Sequence, residues 1–252
     1  MTAAVLSIGC TEPWNAAGLG LDIRALSACG VRPLSVVAGV TAQDARGVHA
    51  ASPVPTSVLT AQLASLADAR LGAIRIGALL DGASVRAVAE FVRATNVPAV
   101  YDPVLAPSGG GRFGDDATLA AIVAELVPAV ALVTPNLDEA ATLTRSTRPV
   151  TIDDMERAAA RLRELGAGAA LITGGHREGD ATVVLVDSSG TVAYDAPRIA
   201  GTLRGSGCLL ACGIAASLAQ GATLRQAIER GRGFVRERFA NGVEAGGMRV
   251  AY

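Results

Sequence analysis

Four consecutive residues, Gly205-Ser206-Gly207-Cys208, stand at the start of an Ala/Leu-rich stretch that closes at Gly221. Glycines admit a ligand close to the backbone, and the first amides of a helix lack intrahelical acceptors. Such a turn offers N–H groups and the positive end of a helix dipole to an anion. A cysteine in that field is expected to have a lowered thiol pKa. The alternative is a close-packed strand-to-helix turn with a buried cysteine, and spacing alone leaves the two open. Further polar residues, Glu12, Gln43, Arg75, Asp102 and Asn136, each follow an apolar, β-branched run. An acid, an amide, a guanidinium and a thiol arriving together fit a small-molecule site better than ordinary polar turns do.

The elements that must position them alternate. Strands are expected over Ala3–Ile8, Val31–Val40, Ala73–Ile76, Val97–Tyr101, Ala129–Val133 and Ala169–Ile172. Helices are expected from Gly18 to Cys29, then over Val58–Ala69, Val85–Thr95, Ala117–Leu126, Asp153–Leu165, the stretch after Gly205, and Leu224–Phe239. Thr41–Asp44 reads as a polar turn and Ser108–Gly111 as a glycine-rich loop. Thr182–Val186 and Thr191–Ala196, separated by Asp187-Ser188-Ser189-Gly190, read as a hairpin. This alternation predicts an α/β protein, a three-layer α/β/α sandwich on a mostly parallel sheet, in one domain over residues 1–252. In such sheets ligands bind outside the carboxyl ends of the strands, where the polar residues fall.

Composition narrows the class. Half of the residues are hydrophobic but only 3% are aromatic, which suits Ala/Val/Leu helices lying close on a sheet. A net charge of −1 gives no reason to expect nucleic acid or an anionic membrane as partner. No apolar run reaches the roughly 18 residues of a membrane span. The four cysteines form no metal-like grouping with His49 or His176, and a reduced, cytoplasmic protein is the expectation.

Six segments then resemble, in order, the hydroxymethylpyrimidine/phosphomethylpyrimidine kinases of thiamine biosynthesis, a branch of the ribokinase-like superfamily. They are Ser7–Gly30, Val36–Val48, Ala73–Leu79, Tyr101–Gly110, Thr134–Leu143 with Ile172–His176, and Gly205–Gly221. The resemblance implies an ATP- and Mg²⁺-dependent kinase acting on a hydroxymethylated heterocycle, and a homodimer. It implies that Asp22 and Gln43 recognise the edge of an aminopyrimidine, with Ala17, Ala78 and Val104 as apolar walls. Asn136 and Glu139 would help hold Mg²⁺ with phosphate, with Asp102 beside the metal. By residue type alone, Asn136 and Glu139 read equally as a helix N-cap with an acid in the first turn. Gly205, Ser206 and Gly207 would stabilise the transferring phosphoryl group, and Cys208 would take the hydroxymethyl proton.

The chain departs from that family at several of these positions. A lysine expected near the ATP phosphates, ahead of Gly175, is Thr173. The family's methionine is Ala78, its Ser-Gly-Gly is Trp14-Asn15-Ala16, and its histidine before the cradle is Arg204. Arg204 is a cation able to stand in for the lysine, Trp14 has a ring able to stack on substrate, and Arg75 keeps the charge of the family's lysine at that position. A pyridoxal-type kinase and a pyrimidine-binding paralogue without turnover are the alternatives.

Overall fold

The computed structural model describes residues 2–106, 113–174 and 181–251. In chain order the elements are β1 (Ala4–Thr11), α1 (Gly18–Ala28), β2 (Arg32–Asp44), β3 (Gly47–Pro53), α2 (Thr56–Ala64), β4 (Leu71–Ile76) and α3 (Gly82–Thr95). They continue with β5 (Ala99–Tyr101), α4 (Asp116–Ala121), β6 (Leu132–Val133), α5 (Leu137–Thr144), α6 (Ile152–Glu164) and β7 (Ala170–Thr173). The chain closes with β8 (Val183–Asp187), β9 (Gly190–Tyr194), α7 (Ser206–Ala219), α8 (Leu224–Ala240), β10 (Val243–Ala245) and β11 (Met248–Val250). One sheet runs β3-β2-β1-β4-β5-β6-β7-β8-β9, parallel from β2 to β7 and antiparallel at both margins.

Alternation along buried strands divides the core between two faces. Ile8, Ile74, Ile76 and Val133 pack against α2 to α6, through Leu59, Val88, Leu137 and Met155 among others. Val5, Ala73, Val100 and Leu132 pack on the opposite side against α1, α7 and α8, through Leu26, Leu209, Ile214 and Ile228. The expected three-layer sandwich is therefore present. Glycine brings α7 and α8 together: a β-carbon on Gly213 would lie 2.9 Å from Gly231 Cα.

Two expectations fail at the sheet margins. Thr41–Asp44 is not a turn; β2 continues through it and pairs with β3, an edge strand that the polar, Ala-rich sequence of Gly47–Pro53 concealed. The ladder shifts register between Ala42 and Gln43, a bulge of the kind that re-aims a side chain. The small hairpin β10–β11 was also unforeseen, although Gly246-Gly247 between two short apolar runs is a hairpin signal. The glycine-rich Ser108–Gly111 lies outside the described residues.

Candidate active site

Strand order reverses at β1, with β2 on one side and β4 on the other, so the carboxyl ends of β1 and β4 flank the topological switch point. Ser7 on β1 and Arg75 on β4 are cross-strand partners facing the same helices. Asp102 stands two residues after Val100, on that face, and takes an N–H bond to the β4 end at Ile76 O. From α1 comes Asp22, and from α7 come Cys208 and Cys212, four apart and hence on one side of the helix. Strand alternation and helical period thus deliver six polar or sulfur-bearing side chains to one buried spot.

Arg75, 1% exposed, is its centre. Its Nη1 donates to Asp22 Oδ2 at 2.8 Å and its Nη2 to Asp102 Oδ2 at 2.7 Å. Ser7 Oγ donates to Asp22 Oδ2 at 2.7 Å, and Cys212 Sγ to Asp22 Oδ1 at 3.3 Å. Two carboxylates share one guanidinium. Burial pushes both carboxyls above the usual range, the arginine charge pulls them down, and the net direction is up. Asp22, which the resemblance gives as recognising the edge of an aminopyrimidine, is wholly buried, with its carboxylate engaged by Arg75, Ser7 and Cys212.

The glycine turn stands directly at the start of α7. Gly205 caps α7 in the left-handed region at φ 75°, where a β-carbon would strike Ala16 O at 2.5 Å. Gly207 is exposed, and a β-carbon there would sit 3.4 Å from Asp102 Oδ1. The first turn of α7 therefore backs directly onto Asp102. The expectation for Cys208 is reversed: its thiol is pushed up to about 12. Burial dominates, the charges of Asp102 and Asp22 add to it, and Arg75 with a Gly18 amide only partly opposes them. At rest Cys208 is a protonated thiol hydrogen-bonded to Asp102. Iodoacetamide at neutral pH is accordingly expected to label Cys29, the one cysteine that is not buried, before Cys208. Peptide mapping that found Cys208 labelled first would restore the activated-thiolate reading.

Asn136 and Glu139 form a capping box at the start of α5. Asn136 Oδ1 accepts from the amides of Asp138 and Glu139, both at 2.9 Å, and Glu139 Oε2 accepts from Asn136 N at 2.9 Å. Glu139 is nonetheless raised to about 8, by burial first and by the charge of Asp102 second. Thr173 ends β7 and pairs with Asn136 in an isolated parallel bridge, its N–H bonded to Pro135 O. It lies beside the capping box, where the family's lysine would be. Gly175 and His176 lie outside the described residues.

A shallow surface cleft lies at the β1 end, lined by Glu12, Trp14, Ala16, Gln43, Asp44, Arg204 and Met248. Glu12 accepts the amides of Trp14, Ala16 and Ala17 at 2.7, 2.5 and 3.0 Å and so holds the loop that leads into α1. Trp14 is 47% exposed and rests on the β10–β11 turn, where a Gly246 β-carbon would meet its ring at 2.5 Å. Arg204 Nη2 donates to Gln43 Oε1 at 2.9 Å. Ala78 and Val104 follow β4 and β5, both partly exposed; Cys10 Sγ donates to Ala78 O, and Val104 N to Asp102 O. Met248, Asp44, Ser7 and Cys212 were absent from the residues singled out by sequence; Met248 was retrievable only through the glycine-pair hairpin.

A doubly covered sheet with an amide cradle above an acid pair at its switch point is the architecture of a ribokinase-like α/β protein. A family model described as phosphomethylpyrimidine kinase matches residues 13–251. The chain belongs to the phosphomethylpyrimidine kinase family. The hydroxymethylpyrimidine/phosphomethylpyrimidine kinase of Rhizobium meliloti is 35% identical over 238 residues, 93% of this chain and 90% of the relative. Phosphomethylpyrimidine kinase from Clostridium difficile 630 superposes with TM-score 0.82 at 25% identity, covering 93% of this chain and 98% of that one. An ADP complex of the pyridoxal kinase of Bacillus subtilis gives 0.90 at 24%, covering 100% and 97%, a likeness of fold.

Proposed function

We propose that this protein transfers the γ-phosphoryl group of ATP, with Mg²⁺, to hydroxymethylpyrimidine or its monophosphate, in thiamine biosynthesis or salvage. The observation that carries this is the apposition of the α7 first turn to Asp102, across a glycine with no side chain to intervene. The amide end of that turn, exposed at Gly207, would receive the transferring charge, and phosphoryl transfer depends chiefly on such positioning and electrostatics. As the substrate hydroxyl oxygen bonds to the γ-phosphorus, the bond to the β-phosphate oxygen breaks and the hydroxyl proton must leave. Because Cys208 is protonated at rest, the base is the Cys208–Asp102 pair: the thiol proton passes to Asp102 while sulfur takes the hydroxyl proton. Arg75 holds Asp102 in place for this exchange.

The donor set fits Mg²⁺ held mainly through water. Among the described residues no three His, Cys, Asp or Glu side chains converge to chelate an ion directly. Mg²⁺ keeps several waters and takes one or two carboxylates with substrate phosphates, which Asp102 and Glu139 can supply. When bound, the ion would neutralise charge on the phosphates. By the family resemblance we place the enzyme in the cytoplasm as a homodimer; its four cysteines are free, and among the described residues no helix is long and apolar enough to cross a membrane. A coupled assay is expected to release ADP only with Mg²⁺, ATP and a hydroxymethyl heterocycle together. Tight heterocycle binding with no ADP at high enzyme concentration would overturn the reading in favour of a non-catalytic binder.

Glu139 gives a pH prediction for the ligand-free protein. Its ordinary value is 4.5 and its folded value about 8, so between these the folded chain keeps a proton that the unfolded chain has lost. Stability from this group is then full below about pH 4.5, falls as pH rises, and levels above about 8. Asp22 and Asp102, also raised, act with the same sign. Thermal melts are expected to show Tm falling from pH 5 to 8, with a shallower fall in Glu139→Gln. Equal slopes would mean that Glu139 is ionised throughout.

A further inference from the structure

Gln43 and Arg204 come from opposite ends of the sequence and meet across the cleft, on the bulge of β2 and just before the cap of α7. A guanidinium only donates, so the atom of Gln43 that faces it must be the carbonyl oxygen. A flipped carboxamide would set NH₂ against NH₂. The cleft's two carboxylates do not compete for Arg204. Both oxygens of Glu12 are taken by backbone amides, and Asp44 is bound by Arg46 and His49. Among the described residues, the side-chain acceptor that Arg204 finds is Gln43 Oε1.

We infer that Arg204 is a positioning residue for specificity: it fixes the Gln43 carboxamide so that the NH₂ group is presented to the ligand. The site then asks for a hydrogen-bond acceptor at that edge, an unprotonated ring nitrogen or a carbonyl oxygen. A ring that is protonated there is refused twice, because it brings a donor to a donor and a positive charge to the guanidinium. This deepens the heterocycle-kinase reading and rests on it; it narrows the substrate class to neutral rings with an acceptor edge. It also assigns Arg204 to the heterocycle end of the site.

The test compares 4-amino-5-hydroxymethyl-2-methylpyrimidine with isosteres in which one ring nitrogen at a time is replaced by C–H, by calorimetry on the full chain. Wild type is expected to bind the pyrimidine about tenfold more tightly than the isostere lacking the acceptor that faces Gln43, the worth of one hydrogen bond in a partly open site. In Arg204→Met the amide is free to flip, and the ratio is expected to fall below about threefold while the isostere binds nearly as before. Gln43→Glu, which keeps the pairing with Arg204 but has no N–H to offer, is expected to abolish the preference altogether. A second readout needs no ligand: the Gln43 carboxamide carbon and nitrogen resonances should move in Arg204→Met, because the guanidinium no longer polarises Oε1. An unchanged ratio in Arg204→Met, or unmoved carboxamide resonances, would overturn the inference. Binding of none of these compounds by wild type would overturn the heterocycle reading and the ligand half of the inference with it; the resonances still decide whether Arg204 holds Gln43.

Discussion

Arg75→Met is expected to destabilise the fold by about 3–5 kcal/mol, because it strands two buried carboxylates without their cation. That is a large fraction of the roughly 5–15 kcal/mol available to a domain, so the variant should melt far below wild type or fail to accumulate. The loss should shrink toward pH 5, where Asp22 and Asp102 can take up protons and cease to be charges without a partner. Arg75→Lys keeps the charge but not the fork that reaches Asp22 and Asp102 at once, and should lie between the two. Adding Asp22→Asn to Arg75→Met removes one of the stranded charges, so the double variant should be more stable than the single one. Urea melts at pH 5 and 8 check all of these. Wild-type stability of Arg75→Met at pH 8 would mean that the cluster is hydrated rather than buried.

Cys208→Ala is expected to lower kcat by about a hundredfold or more, the low end for loss of a positioned acid–base group. KM for the heterocycle should change little, since the thiol is buried beneath the cradle and takes no part in the Gln43–Arg204 cleft. Asp102→Asn should lower kcat at least as much, since it removes both the acceptor of the thiol proton and a carboxylate toward the metal. Cys208→Asp puts a carboxylate base in place of the thiol and adds a third carboxyl beside Asp22 and Asp102 with one arginine between them. It should therefore retain more kcat than alanine yet melt lower than wild type. Steady-state kinetics with matched melts separate the two effects; a wild-type kcat in Cys208→Ala would reduce the thiol to packing.

The error over this thiol shows where sequence reading stops. The helix start and its glycines were legible because turn chemistry is local. The neighbours that set the protonation of Cys208 were not: Asp22 lies 186 residues away in sequence, and Asp102 and Arg75 are more than a hundred away. Counting helix amides without the burial gives the wrong sign. The same holds for Gln43, read as part of a polar turn but standing on β2 at a bulge against β3, a strand with almost no hydrophobic alternation. Arg75, Asp102 and Ser7 share one face by strand alternation, a period the sequence carries, although Arg75 and Asp102 were read only as residues following apolar runs and Ser7 was not singled out. Asn136 and Glu139 form the N-cap pattern legible in their spacing, with Glu139 giving Oε2 to the cap while burial and the charge of Asp102 raise it.

Trp14 supplies a consequence of another kind. It is the chain's one indole, half exposed at the mouth of the cleft and seated on Gly246. Of the three tyrosines, Tyr101 and Tyr194 are buried elsewhere in the sheet. Ultraviolet emission excited at the red edge of the indole band is therefore not an average over the fold but a signal from one place. A ligand that fills the cleft should shift that emission to the blue and shield it from iodide, and movement of the β10–β11 turn should do the reverse. The protein thus carries its own optical probe of occupancy, with no label to be introduced.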